Sequence, residues 1–253
     1  MGLAFDRRGS GPPLVLLHPL GADRHVWAPV ADRLAPARDV IAVDLPGFGE
    51  SPELSGNGPP TPAALAAAVA RGLRENAGLD APAHVAGNSL GGWVALELAL
   101  AGHARSVTAI APAGLWAQPL APRRSAARTV ARIALPVLGA LVKNPATRRL
   151  ALAGVVADAE HVPPAAAHRL VRAYATAPGF RAVNDAMRAG RFTAMDRIEV
   201  PVTLGWPDRD RLVARPADLP RRIRNVALPG TGHLPMWDDP DAVAALLLAG
   251  SSG

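Results

Sequence analysis

Short apolar runs alternate with helical stretches through the first half of the chain. The runs with strand character are residues 3–5, 14–17, 40–43, 84–86 and 107–111. Apolar residues at helical spacing occupy 23–34, 62–76 and the stretch that follows Ser89. Thr61 and Gly78 are predicted to cap the second of these helices. The alternation predicts a mostly parallel sheet with helices on both faces.

The alternation stops in residues 115–194, where no run has strand character. Alanine, arginine and leucine dominate this stretch, and prolines divide it into short helical pieces. Strand character returns at 200–204 and 225–228, and residues 240–248 have helical spacing. We therefore expect a sheet-forming core at 1–114 and 196–253, with an all-helical cap inserted at 115–195.

Length and composition fit one large domain, or a core domain with an insertion. The chain has 253 residues, of which 49% are hydrophobic, and it has no cysteine. A disulfide framework and a thiolate metal site are thereby excluded. No apolar run approaches the roughly 18 residues that span a bilayer, and the start MGLAFDRRGSGPP has no long apolar stretch. We expect a cytoplasmic protein without an integral membrane segment.

The charge balance is basic, at +6, and Lys143 is the single lysine among many arginines. Arginine enrichment beside heavy alanine and proline usage is typical of a coding bias. Nucleic-acid binding is the alternative, but no recognition-helix, zinc or RNA-binding signature supports it. We therefore expect no nucleic-acid partner.

Residues 87–91, GNSLG, fit the G-x-S-x-G pattern of a nucleophile elbow. The β-prone run before them and the apolar helical stretch after them supply the strand-turn-helix context that this pattern requires. Ser89 would lie exposed at the tip of the turn in a strained conformation, with Gly87, Gly91 and Gly92 giving room around it. A plain structural turn is the competing interpretation of so short a pattern.

A serine nucleophile needs a base, and the base needs an acid to orient it. Two loops that follow predicted strands offer both groups: one contains Asp208 and Asp210, and the other contains His233. The order serine, acid, histidine along the chain is the one expected for this kind of sheet. One aspartate would be the acid and the other a solvated loop carboxylate, paired with Arg209 or Arg211. A buried core histidine is the alternative for His233.

Acyl transfer also needs N–H donors for the oxyanion. The backbone N–H of Leu90, directly after the serine, is one candidate, and the second should come from the loop after residues 14–17. Because Pro19 has no N–H, Leu20 is the candidate there. His18 is expected to hold this loop rather than to move protons, and residues 44–51 are expected to form a structural loop.

The segments HPLG, DLPGFGES, GNSLGG, WPDRD and GTGHLPMWDDP together resemble α/β-hydrolase-fold enzymes with a helical cap, and they extend over nearly the whole chain. The resemblance implies that the parallel sheet and its flanking helices form the α/β-hydrolase fold. It also implies a Ser-His-Asp triad in which Ser89 is the nucleophile, His233 the general base and Asp210 the orienting acid.

The resemblance also decides between the two aspartates. Similar sequences read W-G-x-x-D after this strand, and aligning Trp206 with that tryptophan places the acid at Asp210 rather than Asp208. Pro207 and Pro19 depart from the pattern, since related enzymes usually have glycine at both places.

The cap has an excess of basic residues, which has two interpretations. The basic residues are Arg123, Arg124, Arg128, Arg132, Lys143, Arg148, Arg149, Arg169, Arg172, Arg181, Arg188 and Arg191. Only Asp158, Glu160 and Asp185 oppose them. They form either the solvated outer face of amphipathic helices or a surface that attracts an anionic substrate, an acyl carrier or a membrane.

Three further residues are candidates for the substrate pocket. His18 follows an apolar strand, Trp116 follows the first part of the sheet, and Trp237 lies close to His233 in the sequence. Packing in the core is the alternative for both tryptophans.

These observations predict a serine hydrolase, without cofactor or metal, that cleaves an ester of a small to medium-sized molecule through an acyl-enzyme. A thioesterase and a hydrolase of C–C bonds in β-diketone-type substrates stay open, because similar elbows occur in them. Serine at position 89 argues against dehalogenase or epoxide hydrolase chemistry, which in this fold uses an aspartate nucleophile. A ligand-binding protein that kept the fold without the reaction is the alternative from another class.

Overall fold

A seven-stranded sheet organises the part of the chain that the computed structural model describes, residues 2–56, 58–121 and 126–252. The strands are β1 (Phe5–Arg8), β2 (Pro13–Leu17), β3 (Asp39–Val43), β4 (Ala83–Asn88), β5 (Ala104–Ile110), β6 (Val202–Pro207) and β7 (Arg224–Leu228). They lie in the order β1-β3-β2-β4-β5-β6-β7, and only β1 pairs antiparallel to its neighbour. The predicted mostly parallel sheet is therefore confirmed.

Helices flank this sheet and fill the interval between β5 and β6. They are α1 (Ala28–Leu34), α2 (Pro62–Ala77), α3 (Leu90–Leu100), α4 (Ala126–Ala134), α5 (Leu138–Leu141), α6 (Pro145–Ala151), α7 (Pro164–Thr176), α8 (Phe180–Ala189), α9 (Pro235–Asp238) and α10 (Pro240–Gly250). Short 3-10 turns occupy Arg24–Trp27, Leu135–Val137 and Met195–Arg197. No helix in the described ranges is both long and apolar enough to cross a bilayer.

The alternation of side chains along β2 divides the core into two layers. Val15 and Leu17 pack in the layer formed with α2 and α3, whereas Leu14 and Leu16 pack in the layer formed with α1 and α10. All four are at most 1% exposed, because a central strand of a parallel sheet is covered on both faces. The fully apolar run therefore lies in the central position that the sequence predicts.

Both predicted caps of α2 are confirmed. The Thr61 side chain accepts a hydrogen bond from the N–H of Ala64, and Pro62 occupies the first turn, where its missing N–H costs nothing. At the other end Gly78 has φ 67°, a left-handed conformation that glycine adopts without strain.

The first predicted strand is displaced, because residues 3–5 were chosen for their apolar character whereas β1 runs through Phe5–Arg8. The edge strand is held by pairing rather than by burial. The Arg7 guanidinium donates to Asp39 at the start of β3, at 2.6–3.1 Å, and to the carbonyl of Ala77 at 2.9 Å. An apolar-run criterion misses a strand stabilised in this way.

Residues 115–195, which we call the cap, have no strand within their described part and contain α4–α8. The division of the chain at these boundaries stays a prediction, and Arg123 and Arg124 lie outside the described residues. The cap meets the core at the carboxyl edge of the sheet, where the N–H of Gly179 donates to the carbonyl of Gly47 at 2.9 Å. A Cβ on either glycine would lie 3.0 Å from the other's backbone, so the two segments approach more closely than side chains would allow.

Candidate active site

Ser89 is the single residue between β4 and α3, and its backbone is strained. Its φ of 55° and ψ of −114° are unusual for a residue other than glycine. Neighbouring backbone holds it there: its N–H donates to Ile110 at 2.9 Å, and its carbonyl accepts from Trp93 at 3.1 Å and Ala113 at 3.0 Å. The strand-turn-helix context that the motif requires is present, together with the expected strain.

Glycine is needed on both sides of Ser89. A Cβ on Gly91 would lie 2.1 Å from the carbonyl oxygen of Leu17, and one on Gly87 would lie 2.1 Å from that of Gly91. The start of α3 thus packs against the end of β2 with no space for a methyl group. Ser89 itself is only 7% exposed, so the expectation of an exposed tip is wrong. The loop after β5 folds back onto the turn through Ala113.

Asp210 and His233 form a buried hydrogen-bonded pair. Asp210 follows β6, His233 follows β7, and Nδ1 of the imidazole lies 2.7 Å from Oδ2 of the carboxylate. The two side chains are 2% and 6% exposed. An ionised carboxylate accepts hydrogen bonds only, so Nδ1 carries the proton and Nε2 is the nitrogen free to accept one.

The surroundings of Asp210 favour its ionised form. Its other oxygen accepts hydrogen bonds from the backbone N–H groups of Leu212 at 2.7 Å and Val213 at 3.1 Å. Burial alone would raise the pKa of this carboxyl, but the hydrogen bond and charge of His233 and these two N–H groups outweigh it. The pKa of Asp210 therefore lies below its ordinary value, and a negative charge faces the imidazole.

Asp208 has a different partner. One of its oxygens accepts from the N–H of Gly230 at 2.7 Å, in the turn after β7. The hydrogen bond is to backbone rather than to Arg209 or Arg211, and among the described hydrogen bonds the imidazole of His233 is paired with Asp210. The geometry thus supports Asp210 as the acid.

Ser89, Asp210 and His233 follow β4, β6 and β7 at the carboxyl edge of the parallel sheet. The described hydrogen bonds join Asp210 to His233, but they include none from the Ser89 hydroxyl. Catalytic hydrogen bonds are often loose without substrate and tighten in the complex. Among the described residues, acid and base are therefore joined directly, and the serine hydroxyl has no hydrogen bond.

The two oxyanion candidates both have unused N–H groups in the described hydrogen bonds. Leu90 is the first residue of α3, so its N–H has no acceptor within the helix. Leu20 lies in the turn closed by the N–H of Ala22 and the carbonyl of Pro19, at 3.2 Å. Both follow carboxyl ends of adjacent strands, β4 and β2.

His18 fixes the loop that carries Leu20. Its Nε2 accepts from the backbone N–H of Leu45 at 2.9 Å, so Nδ1 carries the proton and donates to the carbonyl of Pro19 at 2.8 Å. The ring is fully buried, and this burial lowers the pKa of His18 despite the nearby carboxylate of Asp44. Both nitrogens are used within the protein, so His18 is a positioning group rather than a polar contact for substrate.

Residues 44–51 form the structural loop that the sequence predicts. The carboxylate of Asp44, completely buried, pairs with the guanidinium of Arg24 and accepts from the N–H groups of Arg24 at 2.7 Å and Glu50 at 2.9 Å. A Cβ on Gly49 would overlap this carboxylate. The loop is thus built around one buried charge whose hydrogen bonds are satisfied.

The two candidate tryptophans have different surroundings. Trp116 stacks edge-to-face on Trp93 of α3, with ring centroids 5.8 Å apart, and its indole N–H donates to Gly190 at 2.9 Å. Trp237 is half-buried in α9, and its indole nitrogen is buried without a hydrogen-bond partner. Their contact with substrate stays a prediction.

Asp238 has a role that the sequence did not reveal. Its carboxylate accepts from the N–H of Gly232, the residue before His233, at 2.8 Å, and from the N–H groups of Ala157 and Asp158 in the cap at 2.9–3.1 Å. The N–H of Leu234, after the histidine, donates to Val155 of the cap at 2.7 Å. The sequence contains the segment DDP, but it does not show that Asp238 binds backbone N–H groups 80 residues away.

A cavity of about 860 Å³ lies between the cap and the loops after β2 and β3. One wall is the face of α7 that carries His168, Arg169 and Arg172, and Lys143 contributes a further cation. Its lining does not include Ser89, Asp210 or His233. Within the described residues, no group of three histidine or acidic side chains is placed to hold a metal ion.

Three features of this chain are those of an α/β-hydrolase. They are a mostly parallel sheet, a strained serine between a strand and a helix, and a buried Asp–His pair at the same edge. A family model described as "Alpha/beta hydrolase family" matches residues 14–246. The chain belongs to this family.

Comparison with known proteins adds relatives of several activities. An epoxide hydrolase of Mycobacterium tuberculosis is 30% identical over 192 residues, 65% of this chain and 83% of that protein. A pimeloyl-[acyl-carrier protein] methyl ester esterase of Aeromonas salmonicida is 42% identical over 100 residues, 40% of this chain and 37% of the esterase. The match thus spans little more than a third of the esterase.

A solved structure supports the fold over the whole chain. The enol-lactonase of Burkholderia xenovorans superposes with a TM-score of 0.74 at 23% identity, covering 98% of this chain and 95% of that protein. The family match and these relatives place the chain among the α/β-hydrolases, but they leave its reaction and its scissile bond undetermined.

Proposed function

We propose that the protein is a carboxylesterase of the serine hydrolase type, which needs no cofactor or metal and cleaves an ester of a small to medium-sized molecule. The observation that carries the proposal is the 2.7 Å hydrogen bond between His233 and Asp210, at the sheet edge where strained Ser89 lies. A binding protein has no need of a buried carboxylate that orients one histidine tautomer.

Under this proposal each group of the site has its own step. Ser89 Oγ attacks the ester carbonyl as Nε2 of His233 takes its proton, and Asp210 stabilises the imidazolium without taking the proton itself. The N–H groups of Leu90 and Leu20 stabilise the oxyanion. The imidazolium then protonates the leaving alcohol, and a water activated by His233 hydrolyses the acyl-enzyme.

The relatives limit the chemistry further. The epoxide hydrolase relative matches the larger share of the chain, but the residue at the elbow here is serine. Enzymes of this fold that open epoxides attack with a carboxylate, and Ser89 has none to offer. The esterase relative shares ester cleavage with the proposal, although its match covers a smaller part of the chain.

Burst kinetics with short- and medium-chain p-nitrophenyl esters test the proposal. Wild type should release a burst of nitrophenolate equal to the enzyme concentration, and Ser89→Ala should abolish it. Ser55→Ala is the matched control, since it removes an exposed hydroxyl in a loop. A fluorophosphonate should label wild type and the control but not Ser89→Ala.

Other outcomes would redirect or overturn the proposal. Faster turnover of thioesters, or cleavage of β-diketone-type substrates without ester turnover, would keep the triad and change the scissile bond. Failure of wild type to react with esters, thioesters and the fluorophosphonate would overturn acyl transfer and favour a ligand-binding protein. A cytoplasmic location and a small-molecule substrate stay part of this proposal.

A further inference from the structure

Exposed large apolar side chains are concentrated on the cap. Five of the six in the described part of the chain are Val130, Ile133, Val137, Leu141 and Leu150, which we call the apolar ridge. Their exposed fractions run from 40% to 78%, and Ile133 and Leu150 exceed 70%. Scattered single exposures are ordinary, but a concentration on one segment indicates a surface that binds something.

The ridge points away from the body of the protein. Helix α4 contains no buried residue, and Val130, Ile133, Val137 and Leu141 follow one another at intervals of three or four positions. Within α4 the interval of three places Val130 and Ile133 on one face, and Val137 and Leu141 follow in the 3-10 turn and α5. Their neighbours Leu138 and Val142 are buried.

Hydrogen bonds fix this orientation. The Arg128 guanidinium reaches from α4 to the carbonyls of Tyr174 and Ala177, at 2.9 and 2.6 Å, and lies 4.8 Å from the centre of the Phe180 ring. These contacts tie the inner side of α4 to α7 and α8. Helix α4 is therefore already bound to α7 and α8 through its inner side, and its exposed apolar side chains face outwards.

The charge around the ridge is predominantly positive. Residues 126–151, which carry the ridge, have five basic side chains and no acidic one. Arg128 and Arg148 donate to backbone carbonyls within the protein, and Arg149 pairs with Glu160. Arg132 and Lys143 are exposed. Over the described part of the cap, ten basic side chains face three acidic ones. An occupant of this surface must therefore accept apolar side chains, and the exposed Arg132 and Lys143 favour one that carries negative charge.

We propose that the cap docks on a membrane surface containing anionic phospholipid, with the apolar ridge inserted at the level of the headgroups. Amphipathic helices with apolar residues on one face and arginine or lysine beside them bind in this way. Basic residues near an anionic leaflet add electrostatic attraction to it. A second copy of the chain fits less well, because it would bring another cap of the same positive charge against the first.

Docking of this kind goes beyond ester hydrolysis and does not depend on it. The ridge residues are outside the proposed triad, and a protein that failed every esterase assay could still bind vesicles. The two proposals therefore fail separately.

Vesicle sedimentation with the full chain tests the inference. Wild type should pellet with phosphatidylcholine vesicles that contain phosphatidylglycerol, bind pure phosphatidylcholine much more weakly, and be released by high salt. The double variant Ile133→Ser, Leu150→Ser should lose most of this binding. Leu212→Ser is the matched control, because Leu212 is the sixth exposed apolar side chain, 59% exposed, and lies on the core.

A variant that removes two positive charges from the cap, with a matched control on the core, completes the test. Arg132→Gln with Lys143→Gln should weaken binding to the anionic vesicles by on the order of tenfold. Arg215→Gln, an exposed arginine on the core, should leave it unchanged. All substituted side chains are exposed, so thermal unfolding should be unaffected and loss of binding should not reflect misfolding.

Three results would overturn the inference. In the first, wild type does not bind anionic vesicles. In the second, wild type and the double variant Ile133→Ser, Leu150→Ser bind them equally well. In the third, Leu212→Ser loses as much vesicle binding as that double variant. A dimer seen by light scattering and dissolved by Ile133→Ser would assign the ridge to a second copy instead.

Discussion

The carboxylate of Asp238 accepts a hydrogen bond from the backbone N–H of Gly232, the residue that precedes His233, at 2.8 Å. The same carboxylate binds two N–H groups of the cap, so one side chain sets the position of the proposed base and of the segment above it. A Cβ on Gly232 would lie 2.9 Å from the backbone nitrogen of Ala157, so the two segments are too close for a side chain at position 232.

Replacing Asp238 with asparagine should loosen this junction. The amide keeps one acceptor oxygen but turns an NH₂ group towards N–H donors, so at least one bond is lost, at a cost of about 1–3 kcal/mol. We expect kcat to fall by about tenfold or more through misplacement of His233, with less effect on KM. Steady-state kinetics measures both constants.

The neighbouring carboxylate provides the control. Asp239 caps α10 by accepting from the N–H of Ala242 at 2.9 Å, and asparagine performs that role equally well. Asp239→Asn should therefore leave kcat unchanged. Hydrogen exchange at residues 155–158 should quicken in Asp238→Asn alone, and equal rates in both variants would refute the link to the cap.

Asp210→Asn should lower kcat by about 10³- to 10⁴-fold, because an amide cannot hold the protonated imidazole in the required tautomer. Asp208→Asn is the comparison, since Asp208 accepts only from the N–H of Gly230 in the described hydrogen bonds. Its kcat should stay within a few-fold of wild type. A larger loss in Asp208→Asn than in Asp210→Asn would reverse the assignment of the acid.

Gly91→Ala should destabilise the fold. The new methyl carbon would meet the carbonyl oxygen of Leu17 at 2.1 Å, which requires α3 and β2 to separate. We expect a loss of about 1–3 kcal/mol or more in the free energy of unfolding, measured by urea denaturation. Gly58→Ala, where a Cβ would meet nothing within 4 Å, should be near neutral. Comparable losses in both would contradict the close approach at the elbow.

Stability should fall as the pH drops below about 6.5. Burial lowers the pKa of His18 in the folded protein. At a pH between the folded and unfolded pKa values, His18 therefore binds a proton in the unfolded chain but not in the folded protein. The His18 contribution is complete above the unfolded pKa and is lost as the pH falls towards the folded pKa. Each such proton lowers the free energy of unfolding by about 1.4 kcal/mol per pH unit.

Urea denaturation between pH 7 and 5 measures this slope. The slope should be shallower in His18→Gln, which lacks the titrating group. Should that variant fail to fold, the His18 ring resonances of wild type provide the same information by NMR. Protonation of the native ring at its ordinary pKa would contradict the prediction.

Much of the site was predictable because it depends on local chemistry. The elbow needs glycine at fixed offsets from Ser89, and the acid and base follow apolar strands, so sequence order and strand ends bring Ser89, Asp210 and His233 to one edge. The same holds for Thr61 and Gly78, whose capping roles act within a few residues.

The parts that were missed depend on distant partners. Strand β1 pairs with β3, and Arg7 binds Asp39 of that strand. The carboxylate of Asp238 binds the N–H groups of Ala157 and Asp158 in the cap. Neither partner can be read from the neighbouring residues. The loop after β5 likewise reaches Ser89 from another strand, through the N–H of Ala113, and the residues beside Ser89 do not predict this contact.

The junction between Gly47 and Gly179 has a consequence for protein engineering. Cap and core meet there through main chain alone, at a 2.9 Å hydrogen bond that no side chain mediates. Redesign of the outer surface of the cap can therefore keep the glycine and its carbonyl partner, together with Val183 and Met187 of α8, which are buried in the core. A graft that preserves this pair together with Asp238 would retain two of the hydrogen-bonded junctions between cap and core and leave the exposed surface of the cap open to new specificities.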